Sequence, residues 1–501
     1  MNEPSDMALY RPSRKSDGAI VPQKQANKAP LGVAEPVEGR TSTKRNTREC
    51  ARDQTQGWAN TMSRLARVRE SAVRHRKQAF TTLLHHVTPT LLEQSFFQLK
   101  RTAAEGVDGI SWSQYEEGLD NRLSDLCKRI QDGSYRPKPA RRVYIPKADG
   151  SKRPLSILRV EDKIAQQAVV TILNQIYETD FMGFSYGFRP QRSQHDALDA
   201  LAWSITRTRV NWVLDVDIRQ FFDTVEHEWL IRMIRHRVQD KRLIKLIIRW
   251  IKVGITDDTG KRHPAQQGIP QGSVISPLLA NIYLHYVFDI WSHQWRRKKA
   301  KGTVTVVRYA DDVVLGFQHE WEAREYLGAL NQRLQAFGLA THPEKTRLIR
   351  FGRFAAADRA VRGEGKPETF DFLGFTHYCT TCRQGDFKLG RKTSSKRLIK
   401  QIQEVKRQLR IRMHFPVNEN LEWLNRVIRG HVNYYGVPGN SRAIGRFRLE
   451  IVRRWMKLLR RRSQRSRLNW TKFSPWVDRH LAKARICHPY PEQRLRAKYS
   501  R

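Results

Sequence analysis

Tyr309-Ala310-Asp311-Asp312 places two adjacent carboxylates at a tight turn between the apolar runs 304–307 and 313–317. Neighbouring strand residues point to opposite faces, whereas a turn can aim both side chains towards one site. Like charges this close repel unless cations neutralise them. Mg2+, a hard ion that takes carboxylate, water and phosphate oxygens, suits such a pair. An Asp-Asp turn alone is more often a solvated loop. A further carboxylate, Asp217, ends the strand-like Val213-Leu214-Asp215-Val216-Asp217-Ile218, with Leu214 and Val216 on the opposite face. It lies 94 residues before Asp311, so any shared site must be built by tertiary structure. Asp215 on the same face, and Asp223 shortly after, read as strand-end or capping carboxylates. Then comes Gln267-Gly268-Ile269-Pro270-Gln271-Gly272-Ser273, followed by Ser276-Pro277 and a helix. Glycines let backbone approach a ligand closely, and the free N–H groups of a helix start favour phosphate.

The elements that must position these residues are legible in outline. Helical signals begin near Trp58, and Thr88-Pro89 opens another helix, with Thr88 as N-cap and an apolar face of Leu91, Leu92, Phe96 and Leu99. Residues 142–146 read as a strand and 148–151 as its turn. From 212 to about 375 the pattern alternates β and α, with an apolar helix over 277–291. After about 394 it turns helical: Leu398, Ile402, Val405 and Leu409 share one face, as do Phe447, Ile451, Trp455 and Leu458.

Charge narrows the function classes. The 501 residues carry 92 Lys+Arg against 49 Asp+Glu, a net +43. A chain this basic repels itself unless a polyanion neutralises it, which makes nucleic acid the leading partner. Residues 391–501 hold 30 Lys+Arg and 6 Asp+Glu, so +24 of that charge sits in the last stretch. Within it, Arg453, Arg454, Lys457, Arg460, Arg461 and Arg462 alternate with apolar anchors, a pattern that lets one face pack while the cations meet RNA phosphates. The most apolar run, 243–255, is broken by Lys245, Arg249 and Lys252 and cannot cross a bilayer. The N-terminus has no apolar signal core, which points away from secretion. Five scattered cysteines read as reduced thiols, and the lone CxxC pair of Cys379 and Cys382 is a weak zinc pattern.

Taken together and in this order, the three carboxylate and glycine segments resemble the A, B and C motifs of the reverse transcriptase palm. Lys147 through Arg153-Pro154-Leu155 resembles the fingers motif that meets the incoming triphosphate. Ser185-Tyr186-Gly187-Phe188-Arg189-Pro190 resembles the next block, residues 338–345 motif D, and Phe372-Leu373-Gly374-Phe375 the primer-grip motif E. Gly106-Val107-Asp108-Gly109 and Arg429-Gly430-His431-Val432-Asn433-Tyr434-Tyr435 are similar to segments of group II intron-encoded proteins, the maturases.

The resemblance implies an α+β right-hand polymerase of fingers, palm and thumb with a helical, basic thumb/maturase (X) domain. Residues 1–57 then form a basic disordered extension, 58–210 the N-terminal helices and fingers, 211–385 the palm and 386–465 the thumb. Residues 466–501 form a basic tail suited to DNA, and no endonuclease domain is expected. The implied reaction is RNA-directed DNA synthesis with two Mg2+ ions, Mn2+ serving as a substitute. Their ligands would be Asp217, Asp311, Asp312 and the backbone carbonyl of Ile218. Lys147 and Arg153 would hold the triphosphate, Gln271 would touch the nucleotide, and Lys345 would give a proton to the leaving group. The implied partners are group II intron RNA, an RNA template with DNA primer, target DNA and deoxynucleotide triphosphates, in a bacterial cytoplasm near the nucleoid and without a membrane. Two other readings share these residues: a domesticated enzyme of repair or defence with no intron partner, and an RNA-binding splicing factor with little polymerase activity. Phe222 falls at the family's steric gate, where an aromatic ring clashes with a ribose 2′-hydroxyl. Phe222→Ala should therefore admit ribonucleotides, and an unchanged ratio of ribonucleotide to deoxynucleotide incorporation would defeat the assignment.

Overall fold

The computed structural model describes residues 51–146, 152–257, 261–462 and 466–494. Lys147 and residues 1–50 of the expected extension lie outside these. The described chain is α+β, with its strands in three separate sheets.

The sheet that matters most has the order β6-β7-β3-β8, from β3 (Trp212–Asp217), β6 (Val304–Tyr309), β7 (Asp312–Phe317) and β8 (Arg347–Arg350), all paired antiparallel. Strand alternation splits it between two cores. Leu214, Val216, Val306, Val313 and Leu315 face a large core that also takes in the helix Val160–Asp180 and the helix Ser276–Leu284. Val213, Val307, Val314 and Ile349 face a second core under the helix Gln194–Arg207. A sheet covered on both faces reads as near-continuous apolar sequence, which is why β6 and β7 do. The register pairs Asp217 with Asp312 and Asp215 with Val314, so Asp215, Asp217 and Asp312 share the second face.

A second sheet, β2-β1-β4-β5, is built on the antiparallel pair β1 (Ala140–Pro146) and β2 (Lys152–Ile157), with β4 (Ile255–Thr256) parallel to β1 and β5 (Arg262–His263) at the edge. The third sheet joins β9 (Phe370–Phe372), β10 (Phe375–Thr381) and β11 (Phe387–Thr393), carrying β structure beyond the expected limit near 375. The expected apolar helix over 277–291 is longer and interrupted: a π turn at His285–Asp289 separates Ser276–Leu284 from Ile290–Lys298. Thr88 caps its helix as expected, its side chain accepting from the Leu91 N–H at 3.2 Å.

The C-terminal third is a helical module of Ser395–Ile411, Val417–Tyr435, Ser441–Arg461 and Trp470–His480. Leu398, Ile402, Val405, Leu409, Phe447, Ile451, Trp455 and Leu458 are all buried in its core.

Two expected boundaries move. The first helix starts at Ala51 rather than Trp58; residues 51–56 lack large apolar side chains but are helix formers without proline. The expected tail contains the helix Trp470–His480, capped by the Asn469 side chain accepting from the Lys472 N–H at 3.0 Å. Phe473, Val477 and Leu481 recur every fourth residue and are buried, a stripe that the surrounding positive charge obscures. Among the described residues, no helix is long and apolar enough to cross a membrane.

Trp455 is fully buried, its ring 5.5 Å edge-on to Phe473 and 5.6 Å from Trp476. Trp455→Ala should cost about 3–5 kcal/mol, seen as a lower urea midpoint of the far-ultraviolet helical signal; an unchanged midpoint would contradict this packing.

Candidate active site

β6 and β7 meet through a two-residue loop, Ala310-Asp311, closed by the Tyr309–Asp312 pair. Ala310 takes φ +56°, a left-handed conformation that costs an L-residue energy and persists where its surroundings dictate it. Those surroundings begin with Arg308, which is fully buried. Its Nε and Nη2 donate to Asp289 Oδ1 and Oδ2 at 2.7 and 2.5 Å. Its Nη1 donates to Asn281 Oδ1 at 3.1 Å and to the Ala310 carbonyl at 3.0 Å. Asn281 in turn donates to the Gly187 carbonyl at 2.7 Å. A Cβ at Gly187 would run into the Ala310 backbone, so glycine is needed for the close approach of that loop to the turn.

The turn gathers acid. Burial raises the Asp311 carboxyl above the usual range, and the nearby Asp217 charge adds to this, opposed by Arg153 and Arg308. Asp312 is exposed as a residue, but its carboxyl end is crowded by protein atoms. That burial, reinforced by Asp311, Asp217 and Asp215 and opposed by Arg397, pushes it up to about 7. Asp215 also reaches about 7 through burial, against the pull of Arg347 and with the repulsion of Asp217 and Asp371. Lys345 Nζ stands 2.8 Å from Asp217 Oδ2, a positive group inserted among the carboxylates.

The donor set is all oxygen and in mutual repulsion, which fits a hard divalent cation. Among the described residues, no three carboxylate, imidazole or thiol groups converge tightly enough to hold one ion as they stand; the Lys345 ammonium already neutralises part of Asp217. Ile218 pairs with Thr341 as an isolated bridge whose ladder bonds are made by its neighbours: the Arg219 N–H donates to Ala340 and the Asp217 carbonyl accepts from His342. Its own carbonyl therefore points away from that partner.

The glycine-rich loop lies between the other expected contacts. The Ser156 N–H on β2 donates to the Gln271 carbonyl at 2.6 Å, and the Ile269 N–H donates to the Phe222 carbonyl at 2.8 Å. Gly272, at φ +102°, leaves no room for a Cβ beside the Ser156 carbonyl. Arg153 is exposed on the same strand. Phe222 is half-buried, its ring 5.5 Å from and nearly perpendicular to Phe221.

Residues 145–377 match the reverse transcriptase (RNA-dependent DNA polymerase) family. The chain is similar to the protein YkfC of Escherichia coli strain K12, 38% identical over 239 residues, 42% of this chain and 62% of that protein. It is also similar to the group II intron-encoded protein LtrA of Lactococcus lactis subsp. cremoris, 34% identical over 227 residues, 45% of this chain and 37% of that protein. A more distant relative is the nuclear intron maturase 4, mitochondrial, of Arabidopsis thaliana, 26% identical over 149 residues, 30% of this chain and 18% of that protein. The chain is thus similar over this segment to reverse transcriptases and, among its relatives, to a group II intron-encoded protein. It spans less than two thirds of the length of each of these relatives.

The six basic residues expected to meet RNA, all outside the family match, divide into two sets. Arg453 and Arg454 pair with Glu450, Arg454 also donating to the Glu450 carbonyl at 3.0 Å, and Arg462 donates to the Phe415 carbonyl at 2.6 Å. Lys457, Arg460 and Arg461 are exposed on the same helix. Trp423, His431, Tyr434 and Tyr435 are packed while Asn433 is exposed: His431 stacks on Phe447 at 3.7 Å, and the Tyr434 hydroxyl donates to the Leu373 carbonyl at 2.8 Å.

Sequence reasoning missed Arg308, Asp289 and Asn281. The one available signal was a lone cation in the apolar Val-Thr-Val-Val-Arg-Tyr run. Arg308→Met leaves a buried, unpaired carboxylate and should cost about 3–5 kcal/mol. Adding Asp289→Leu should recover most of that in a denaturant titration. Nucleotide incorporation should stay depressed in both variants, because the Ala310 carbonyl has lost its donor. Full activity in the double variant would show that the guanidinium does not position the turn.

Proposed function

We propose that this chain is an RNA-directed DNA polymerase that also binds a group II intron RNA to assist splicing and retrohoming. The observation that carries the reading is the juxtaposition of Asp217, Asp311 and Asp312 inside the segment that matches the reverse transcriptase family. In a right-hand arrangement, residues 58–210 serve as fingers, 211–385 as palm and 386–465 as thumb and maturase domain, with the packed 466–494 segment extending the thumb.

Two divalent cations held by Asp217, Asp311, Asp312 and the Ile218 carbonyl would supply Lewis-acid activation of a primer 3′-hydroxyl and neutralisation of charge on the leaving pyrophosphate. The chain's own groups do the rest. Arg153 offers a forked cation to the triphosphate from the strand beside Asp311. The 267–273 loop, braced on β2 and on the Phe222 carbonyl, fixes the floor under the base and sugar, with Gln271 facing the nucleotide. The Phe222 ring crowds the position of a ribose 2′-hydroxyl. Lys345 exchanges its bond to Asp217 for contact with the leaving group and can give it a proton. Lys457, Arg460 and Arg461 meet phosphates of the RNA.

The Asp311→Asn, Asp312→Asn variant should lose primer extension on an RNA template by at least about 1,000-fold while keeping its affinity for RNA. Retained extension would overturn the polymerase assignment. Sequencing the RNA that co-purifies with this variant tests the intron partnership. One dominant structured RNA enclosing the reading frame is expected, whereas a diffuse mixture of cellular RNAs would favour a domesticated enzyme.

A further inference from the structure

None of the residues assigned to the carboxylate site lines the two recesses that adjoin on the face carrying the helix His227–Arg235. One, of about 520 Å³, is lined by Lys77, Arg232, Arg235, His236 and Gln239. The other, of about 360 Å³, is walled by Trp229, His236, Tyr286, Trp291, Arg333 and Phe337. Arg232 and His236 belong to both, and no carboxylate lines either. The first is thus a basic recess. The second is an aromatic slot with a guanidinium wall.

The slot is preorganised. Trp229 lies 4.8 Å from Phe337, and His236 lies 5.6 Å from Tyr286. Arg333 is pinned by bonds from Nε to the Val287 carbonyl and from Nη2 to the Tyr286 carbonyl, both 3.1 Å, with its plane 4.4 Å over Phe337. Arg232 sits 5.1 Å over Trp229, and its pairing with Glu228 is solvent-exposed on both sides. Such an exposed pair contributes little and exchanges readily for a phosphate.

We propose that the two recesses together bind one unstacked nucleotide of a single-stranded RNA: its base in the aromatic slot, its phosphate on Lys77, Arg232 and Arg235. Aromatic faces and guanidinium planes are the surfaces on which single-stranded bases stack, and an adjacent basic groove follows the backbone. A strand, rather than a free nucleotide, fits because both recesses open to solvent, whereas a small-molecule site encloses most of its ligand. A strand already drawn by the +43 charge supplies the missing affinity. The assignment goes beyond the polymerase reading and does not require it.

The test uses the full chain and a 12-nucleotide oligouridylate carrying 5-iodouridine. Irradiation should crosslink Trp229, Tyr286 or Trp291, located by mass spectrometry. In salt high enough to mute contacts to phosphate alone, Trp229→Ala with Trp291→Ala should weaken binding by about tenfold. Arg232→Gln with Arg235→Gln, two exposed positions that leave the core intact, should weaken it about fivefold and flatten the salt dependence by one to two phosphate equivalents. Primer extension at saturating template and primer should not change in either. Crosslinks confined to other residues, with both variants binding within about twofold of the parent, would overturn the site. Displacement of the oligonucleotide by an equal concentration of uridine monophosphate would overturn the choice of a strand.

Discussion

A single buried guanidinium organises the centre of this protein. Arg308 binds the carboxylate of Asp289, the amide of Asn281 and the carbonyl of Ala310, so one planar group ties a helix, a π turn and a strained hairpin loop. A buried ion pair is a poor source of stability, since apolar replacements of similar volume often do as well. Its use here is directional. The fork fixes the angle between the π turn and the strand, and that angle decides where the next three residues point. The π turn carries Asp289, and turns of this kind are frequent at functional sites.

The acid on that hairpin is set within a strongly basic chain. Asp215, Asp217, Asp311 and Asp312 repel one another in a recess bordered by Arg153, Lys345, Arg347 and Arg397. By electrostatics alone the outer charge favours a nearby polyanion and the inner charge disfavours it unless cations accompany it. Opposed fields of this kind separate the tasks of holding a strand and of positioning its reactive end.

Much of this was legible from the amino acids. Period-two alternation placed Asp217 opposite Leu214 and Val216, and the turn between two apolar runs placed Asp311 and Asp312. The helical faces at 398–409 and 447–458 were equally plain, because a 3.6-residue stripe survives on a basic background. The hidden parts are those fixed by distant partners. Nothing local to Arg308 names Asp289, and nothing near Lys345 names Asp217, which is 128 residues away. The helix at 470–480 was hidden by composition, its three buried residues being outnumbered by polar and basic neighbours. Likewise the recesses beside His227–Arg235 draw on residues near 77, 230, 290 and 335, which no periodicity connects.

Asp199 has a consequence for how the molecule is made. It is buried in the helix Gln194–Arg207, and its partners are Arg391 at 3.2 Å and Arg494 at 3.1 Å. Ribosomes add about 5–20 residues per second, so Asp199 waits roughly 15–60 s for Arg494 to emerge. Until Arg391 emerges its helix carries an acid without countercharge, and until Arg494 follows only one of its two oxygens is paired. The nascent chain thus completes the pairing of this helix only once Arg494 has emerged, an interval during which a bound RNA or a chaperone has access to surfaces that the folded protein conceals.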